Sequence, residues 1–338
     1  MRTEIMRNVR CCSAFRRGFA FLAMVFLASA AAAGTTVDHR LLDRLNDDPT
    51  FFPIGIWYES IEQYRQYKAI GINTLVQSGK APTADDLDAL AEAGMYIIPG
   101  QAGGFPAAHG ADTVIAWAAP DEPDNAQRNS DGSYGPCIAA ADIARITAEL
   151  KARYRRPIFL NLGQGVARAD WPGRGNCTGN GETYYPQAIE DSDIAAYDVY
   201  PVAEVDGQLD VVAKGVRNLV RWSQASNPRR QVWNFIEAAP EAPGKMLTVH
   251  QIRSEVWLSI INGSRGIIYF PWRLNATDAH HNEDGLFGDA ALRAGVKRIN
   301  AEVLALAPFI KRGKVAHDFS LTADGKVSRI AFRRDADE

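Results

Sequence analysis

Short, continuous apolar runs recur along the chain and alternate with segments in which apolar residues are spaced three or four apart. An uninterrupted apolar run is typical of a parallel strand buried on both faces, whereas the wider spacing is typical of an amphipathic helix. The pattern therefore predicts strands that alternate with helices. The eight runs are 52–58, 72–77, 95–100, 113–119, 157–163, 194–201, 231–239 and 265–272.

Polar residues mark where the intervening helices begin. Thr248 with Gln251, and Ser60 with Gln63, fit the capping-box pattern, in which two side chains satisfy unpaired N–H groups at a helix start. Both pairs precede segments with helical spacing of apolar residues. Residues 101–112, in contrast, show no convincing helix, so we expect a short or irregular connection after the third strand.

Eight strand-then-helix units predict a (β/α)8 barrel of the α/β class. We place this barrel at residues 34–312 and a short C-terminal β extension at 313–338. The alternative is an open, doubly wound sheet, which would carry a glycine-rich phosphate loop after an early strand. Residues 100–104 (GQAGG) lack the complete motif and a clear following helix, so the barrel is the better interpretation.

Residues 1–33 are typical of an export signal. A basic start is followed by an apolar core that ends in small residues and is too short to span a membrane comfortably. The pair Arg16-Arg17 also resembles a twin-arginine signal. We therefore expect cleavage and a secreted or periplasmic protein without stable membrane insertion. A retained N-terminal anchor is the alternative.

Loss of the signal changes both the charge and the cysteine count. It removes five Arg and one Glu, which takes the formal net charge from −3 to −7. An acidic chain without a Lys/Arg block is a poor nucleic-acid binder. Of the four cysteines, Cys137 and Cys177 remain, and in an oxidising compartment we predict a disulfide between them. Two unpaired buried thiols are the alternative.

Two glutamates coincide with predicted strand ends. The fourth run ends in "WAAPDEP", where Glu122 lies between two prolines that exclude a helix. The seventh run ends at Glu237, which alternates with Trp233 and Phe235 and so shares their face of the strand. A glutamate late in a buried strand is costly unless it is paired or functional. The alternatives are a solvated turn carboxylate at Glu122 and a buried ion pair at Glu237.

On these stretches, "DEP" and "FIEA", the sequence resembles clan A of the glycoside hydrolases, which are retaining enzymes built on (β/α)8 barrels. The resemblance covers roughly residues 50–310. It implies that Glu122 is the acid/base residue, that Glu237 is the nucleophile and that no cofactor is needed. Many members carry Asn immediately before the acid/base residue, whereas this chain has Asp121.

Other polar and aromatic residues at predicted strand ends are candidates for sugar binding. Aromatic rings stack on the C–H faces of sugars, and carboxylates and amides bind hydroxyl groups. The resemblance implies that Tyr200 lies near the nucleophile and that Trp272 forms a sugar platform. Core packing or hydrogen bonds within the fold would also explain each residue. The candidates are Trp57, Gln77, Asp121, Asn161, Asp198, Tyr200 and Trp272.

The loop 278–289 has the strongest potential for metal binding. It contains two adjacent histidines and two carboxylates, His280, His281, Glu283 and Asp284, but their spacing matches no closed metal site. We therefore predict neither a metal nor a cofactor.

Together these observations predict an exported glycoside hydrolase that cleaves O-glycosidic bonds of an oligo- or polysaccharide by a retaining mechanism with two carboxylates. Two alternatives remain. One is a catalytically inactive barrel that binds carbohydrate. The other is a metal-dependent barrel hydrolase or isomerase centred on Glu122, Asp198 and Glu237. The sequence does not indicate an oligomeric state.

Overall fold

Eight parallel strands form the centre of the molecule in the computed structural model. Every strand lies within one of the eight apolar runs, so the predicted strand positions are confirmed. The strands are β1 (Ile54–Trp57), β2 (Thr74–Val76), β3 (Tyr96–Ile98), β4 (Trp117–Ala118), β5 (Ile158–Leu162), β6 (Ile194–Tyr197), β7 (Gln231–Glu237) and β8 (Gly266–Phe270).

The sheet curves into a barrel. Its strand order is β3-β2-β1-β8-β7-β6-β5-β4, and all seven neighbouring pairs are parallel. The two outer strands meet through backbone hydrogen bonds, because Ile97 N donates to Thr113 O (2.9 Å) and Ala118 N donates to Pro99 O (3.0 Å). These bonds close the barrel, and the predicted fold class is confirmed.

The structure describes residues 38–100, 112–169, 171, 181–239, 247–272, 285–312, 314–315 and 332–333. Several predictions lie wholly or mostly outside these ranges and remain predictions. They are the export signal (1–33), the irregular third connection (101–112), Cys177, the histidine-containing loop (278–289) and most of the C-terminal extension (313–338). Of that extension, Lys314–Val315 (β9) pairs antiparallel with Phe332–Arg333 (β10).

Helices alternate with the strands over most of the described chain, and none of the described helices combines the length and hydropathy needed to cross a bilayer. The helices are α1 (His39–Asp47), α2 (Tyr64–Ala69), α3 (Ala84–Glu92), α4 (Ala140–Tyr154), α5 (Gly181–Ala188), α6 (Pro201–Glu204), α7 (Asp210–Ser226), α8 (Val249–Ile261) and α9 (Ala290–Arg312).

The predicted caps were correct at one helix and wrong at another. Thr248 and Gln251 form a complete capping box at the start of α8. Ser60 makes no side-chain cap, because a 3-10 turn over Ile61–Gln63 precedes α2, and the Ser60 hydroxyl hydrogen-bonds to Glu62 instead. The sequence spacing is the same in both cases, but the tighter turn changes which groups meet.

Alternation along each strand separates two apolar layers. On β7, Trp233 and Phe235 belong to the cluster that fills the barrel, whereas Val232 and Ile236 belong to the layer under the helices. Glu237 is in phase with the first pair, so its side chain belongs to the carboxyl end of the barrel interior. The alternation of residues along β7 therefore determines where the carboxyl group of Glu237 lies.

The amino end of the barrel is closed by α1. Leu41 and Leu45 of this helix belong to the interior cluster. The backbone oxygen of Leu45 accepts hydrogen bonds from the side chains of Gln231, the first residue of β7, and Lys311. Apolar packing and satisfied backbone groups occupy the amino end, so we expect a functional site at the carboxyl end of the barrel.

Candidate active site

The carboxyl ends of three strands turn through unusual backbone conformations. Tyr58, Gln77 and Glu122 have φ values of 54°, 47° and 38°, in the left-handed region that residues other than glycine seldom adopt. Hydrogen bonds hold these turns, since Gln77 N donates to Ile98 O (2.8 Å) and Glu122 O accepts from Asn125 N (3.0 Å). Strained backbone of this kind is concentrated at functional sites, so these strand ends are candidates for the functional site.

Glu237 is a buried carboxylate held by backbone N–H groups. Its Oε2 accepts from Val202 N and its Oε1 from Ala203 N, both at 2.9 Å. Behind the strand, Glu255 of α8 accepts from Glu237 N (3.1 Å). Burial raises the pKa of Glu237 above its ordinary value, and the N–H groups of Val202 and Ala203, with a side-chain hydrogen bond shared with Glu255, offset part of that rise. The side chain is therefore fixed by donors that offset part of the cost of burying its charge.

Glu122, in contrast, contacts another carboxyl group. It is half-buried, and its side chain hydrogen-bonds to that of Asp198, which is buried one residue beyond β6. Burial raises the pKa of Asp198 well above the usual range of aspartate, and the charges of Glu122, Asp121 and Asp124 raise it further. We refer to Asp121, Glu122, Asp124 and Asp198 as the acidic cluster.

Two other predicted binding residues join this cluster. Asn161 Nδ2 donates to Asp121 Oδ1 (3.0 Å) and, at 3.5 Å, approaches Asp198 Oδ2. The Tyr200 hydroxyl donates to Asp198 Oδ2 (3.1 Å). The structure thus brings together four of the seven predicted binding residues around Glu122.

One short segment connects the two glutamates. Asp198 contacts Glu122, and Val202 and Ala203, only a few residues further on, hold Glu237. Between them, Tyr200 is the residue that precedes α6. Residues 198–203 therefore contact both predicted catalytic side chains, although strands four and seven are not neighbours in the sheet.

The predicted tryptophans are both nearly buried. Trp57 is 8% exposed and packs edge-to-face on Phe235, with ring centroids 5.1 Å apart. Trp272 is 7% exposed, donates from Nε1 to Glu59 Oε1 (2.8 Å) and packs against Tyr58 at 5.5 Å. Tyr58, at 41% exposed, presents the most accessible ring of this group to solvent.

Gln77 lies at the end of β2 and is half-buried. Its side-chain oxygen lies near Gly100, where an added Cβ would be 3.4 Å away. Among the hydrogen bonds of the described residues, none joins the Gln77 side chain to the acidic cluster. Gln77 therefore faces the β2–β3 side of the barrel end, and its predicted role in sugar binding remains a prediction.

Three acidic residues near the site were not predicted. Glu59 directly follows the first apolar run, so the rule that identified Glu237 would also have selected it. Asp124 lies two residues beyond Glu122 and accepts from Gly163 N (2.8 Å) and the Tyr185 hydroxyl (3.0 Å). Glu255 is completely buried within α8, and the sequence carries no signal that separates it from an ordinary helical glutamate.

Within the described residues, no group of three or more His, Cys, Asp or Glu side chains has the geometry to hold a metal ion. This includes the acidic cluster, while the loop with His280 and His281 lies outside the described ranges. Cys137 is disulfide-bonded. Because Cys177 also lies outside those ranges, the pairing of these two cysteines remains a prediction.

Comparison with known proteins gives matches in structure alone. No family profile and no curated protein sequence matches this chain. An endo-β-1,4-mannanase from Thermotoga petrophila has a TM-score of 0.50 at 11% identity, covering 75% of this chain and 76% of the mannanase chain. A hyperthermostable endo-1,4-β-D-mannanase from Thermotoga petrophila RKU-1 has a TM-score of 0.51 at 11% identity, covering 75% and 100%.

A β-galactosidase from the psychrophilic Marinomonas ef1 has a TM-score of 0.52 at 13% identity and covers 77% of this chain, which spans 62% of the galactosidase chain. Such low identities establish a shared architecture, whereas function depends on the site. The chain thus has the (β/α)8 barrel fold of these glycoside hydrolases, and the resemblance drawn from its sequence is confirmed at the level of the fold.

Proposed function

We propose that this protein is an exported, retaining glycoside hydrolase that cleaves O-glycosidic bonds in an oligo- or polysaccharide. The observation that carries the proposal is the contrast between two glutamates at the carboxyl end of one barrel. Glu122 contacts the carboxyl of Asp198, whereas Glu237, which also contacts the carboxyl of Glu255, accepts a backbone N–H on each of its oxygens. Partner groups that push the pKa values of two carboxyl groups apart are what an acid and a nucleophile require.

In this mechanism Glu122 is the general acid. A glycosidic oxygen departs poorly unless it is protonated as the bond breaks. The carboxyl of Asp198 beside Glu122, with Asp121 also close, disfavours a further negative charge and so supports a protonated Glu122. Once the leaving group has gone, the ionised Glu122 accepts a proton from the incoming water.

Glu237 is the nucleophile. The N–H groups of Val202 and Ala203 fix the orientation of its carboxylate and favour its ionised form. Each oxygen retains a second lone pair after accepting one hydrogen bond, so one oxygen can attack the anomeric carbon. In retaining enzymes the two carboxyl groups lie about 5–5.5 Å apart, which leaves room for the sugar but not for an additional water.

Sugar binding would use the aromatic side of the same barrel end. Tyr58 is the exposed ring, and Trp272 supports it from below while Glu59 fixes the indole. Sugar C–H faces stack on such rings. Export through the 1–33 signal and a Cys137–Cys177 disulfide complete the proposal. Both are tested on protein isolated from the producing cell, by N-terminal sequencing and by thiol titration of the denatured, unreduced chain.

One observation favours a second candidate, a barrel that binds carbohydrate without cleaving it. Glu237 is only 1% exposed and holds the first turn of α6, which is a structural role that needs no catalysis. Activity on a panel of aryl glycosides and glycans distinguishes the two candidates. We expect hydrolysis that Glu237→Ala abolishes and that azide restores on an activated aryl glycoside, with an inverted azide product. Binding without hydrolysis across the panel would favour the second candidate.

A further inference from the structure

Asp198 is a nearly buried ionisable group of the site, 6% exposed. It lies between the loop after β4, which provides Asp121, Glu122 and Asp124, and the loop after β6, which provides Tyr200. The remaining neighbours are Asn161 on β5 and the buried phenol of Tyr197 on β6 itself. These neighbouring side chains carry no positive charge.

The hydrogen bonds around Asp198 are incomplete in a specific way. Its Oδ2 receives the Tyr200 hydroxyl at 3.1 Å, and Asn161 Nδ2 approaches it at 3.5 Å. Its Oδ1 is buried and receives no N–H or O–H from the described residues. A buried carboxylate oxygen without a donor is costly, so the surroundings of Oδ1 disfavour the ionised form of Asp198.

The Asp198 carboxyl also contacts the carboxyl of Glu122. Two ionised carboxylates cannot hydrogen-bond to each other, because each is only an acceptor. The side-chain hydrogen bond between Asp198 and Glu122 therefore requires one proton on the pair. Pairs of this kind hold a single proton in common, and the proton is lost in a step that belongs to both groups.

We propose that Asp198 and Glu122 share one proton in the resting enzyme, and that Asp198 is a positioning residue that keeps this proton available for the leaving-group oxygen. The inference rests on the proposed function of Glu122 as the general acid. It assigns to Asp198 a role different from the substrate contact expected from the sequence.

The proton balance of the reaction follows from this arrangement. In the first step an oxygen of Glu237 bonds to the anomeric carbon, the glycosidic C–O bond breaks, and the shared proton passes to the departing oxygen. Glu122 and Asp198 are then both ionised and adjacent. In the second step water attacks the anomeric carbon, its proton returns to the pair, and the bond to Glu237 breaks. The repulsion between two close carboxylates makes the pair a better base for that second step.

The kinetic test is the pH dependence of kcat/KM for Asp198→Asn on the natural glycan. Without the negative charge of Asp198, Glu122 loses its proton more readily. We expect the alkaline limb to move to lower pH by about one unit or more. Hydrolysis of an activated aryl glycoside, which does not need the acid, should be much less affected at the pH optimum.

Tyr200→Phe is the matched variant with the opposite expected sign. The Tyr200 hydroxyl stabilises the ionised form of Asp198, so its removal should move the alkaline limb to higher pH. A purely structural effect would lower activity without moving the two limbs in opposite directions. An unchanged limb in Asp198→Asn, on an enzyme that remains active, would overturn the inference and leave the proposed function intact.

An infrared measurement tests the shared proton without any activity. In spectra of the full protein recorded at neutral pH, the carboxylic-acid C=O band of the wild type should weaken in Asp198→Asn and, separately, in Glu122→Gln. Because two variants are measured, the test can still be read if one of them does not fold. Loss of the band in a protein that cleaves no glycoside would support the pair and reject the function. A band unchanged in both folded variants would reject the pair.

Discussion

The two glutamates at the carboxyl end of the barrel differ in what surrounds them. The acidic cluster after β4 places carboxyl groups beside carboxyl groups, and its neighbours raise the pKa of Asp198. Around Glu237, the hydrogen-bonding neighbours act to lower the pKa of the carboxyl against the effect of burial. Asp124, Asp198 and Glu237 are all buried, so desolvation alone does not separate the two regions. The difference lies in the partner groups, which raise the pKa of Asp198 further but offset part of the rise at Glu237.

The largest effect is expected at Glu237. Glu237→Gln keeps a side-chain oxygen for one of the two N–H groups but removes the nucleophile, so kcat should fall by about a thousandfold or more. Glu204→Gln is the matched control. Glu204 lies exposed on α6, the helix whose first N–H groups hold Glu237, and it acts on Glu237 through its charge. Steady-state kinetics on one aryl glycoside compare both. A Glu237→Gln enzyme that keeps its activity would contradict the role of Glu237 as the nucleophile.

The next effect concerns Glu122. For Glu122→Ala we expect roughly a hundredfold to ten-thousandfold loss on a natural glycan, which is the usual contribution of general acid catalysis. Substrates with an activated aryl leaving group need little protonation and should retain far more of their rate in the first step. Equal losses on both substrates would contradict the role of Glu122 as the acid.

A stability measurement sharpens the description of the acidic cluster. Burial raises the pKa of Asp124 to about 6, whereas an unfolded aspartate titrates near 3.9. The folded state therefore binds the extra proton between these values, and this residue makes folding less favourable as pH rises through them. The cost above pH 6 is at most about 3 kcal/mol.

Denaturant unfolding of the wild type and Asp124→Asn at pH 4 and pH 7 measures this contribution. The wild type should lose more stability than the variant over that interval, because asparagine does not titrate. A difference between the two proteins that does not change with pH would mean that Asp124 ionises normally in the folded state.

The smallest effect is expected on the aromatic side. Tyr58→Ala or Trp272→Ala should raise KM by about fivefold, since one stacking contact contributes about 1 kcal/mol. Glu59→Gln keeps an acceptor for the Trp272 indole and should change KM less than either. Titration of an oligosaccharide into each inactive Glu237→Gln double variant separates binding from catalysis.

Sequence patterns predicted the positions of these groups but not their partners. The run that became β7 fixed the phase of Glu237, because alternation along a strand is a local property. The N–H groups that hold it come from the loop after β6, and Asp198 meets Glu122 across the interior of the barrel. Such contacts depend on how distant segments meet in space, which spacing along the chain does not encode.

Local rules also had limits where the backbone departed from regular geometry. Ser60 has the spacing of a cap but precedes a 3-10 turn, and Tyr58 was one of many aromatic residues until its left-handed backbone and exposure set it apart. The rule that selects acidic residues at strand ends could have identified Glu59. It could not have identified Glu255, because the sequence around a helical glutamate gives no sign of complete burial.

The pair formed by Glu122 and Asp198 is expected to retain a proton at a pH where Glu237 has lost its own. Carbon-13 NMR titration of side-chain carboxyl groups in the full protein tests it directly, with resonances assigned from Glu122→Gln, Asp198→Asn and Glu237→Gln. Glu237 should ionise at lower pH than the pair formed by Glu122 and Asp198. Ionisation of that pair before Glu237 would contradict the assignment of acid and nucleophile.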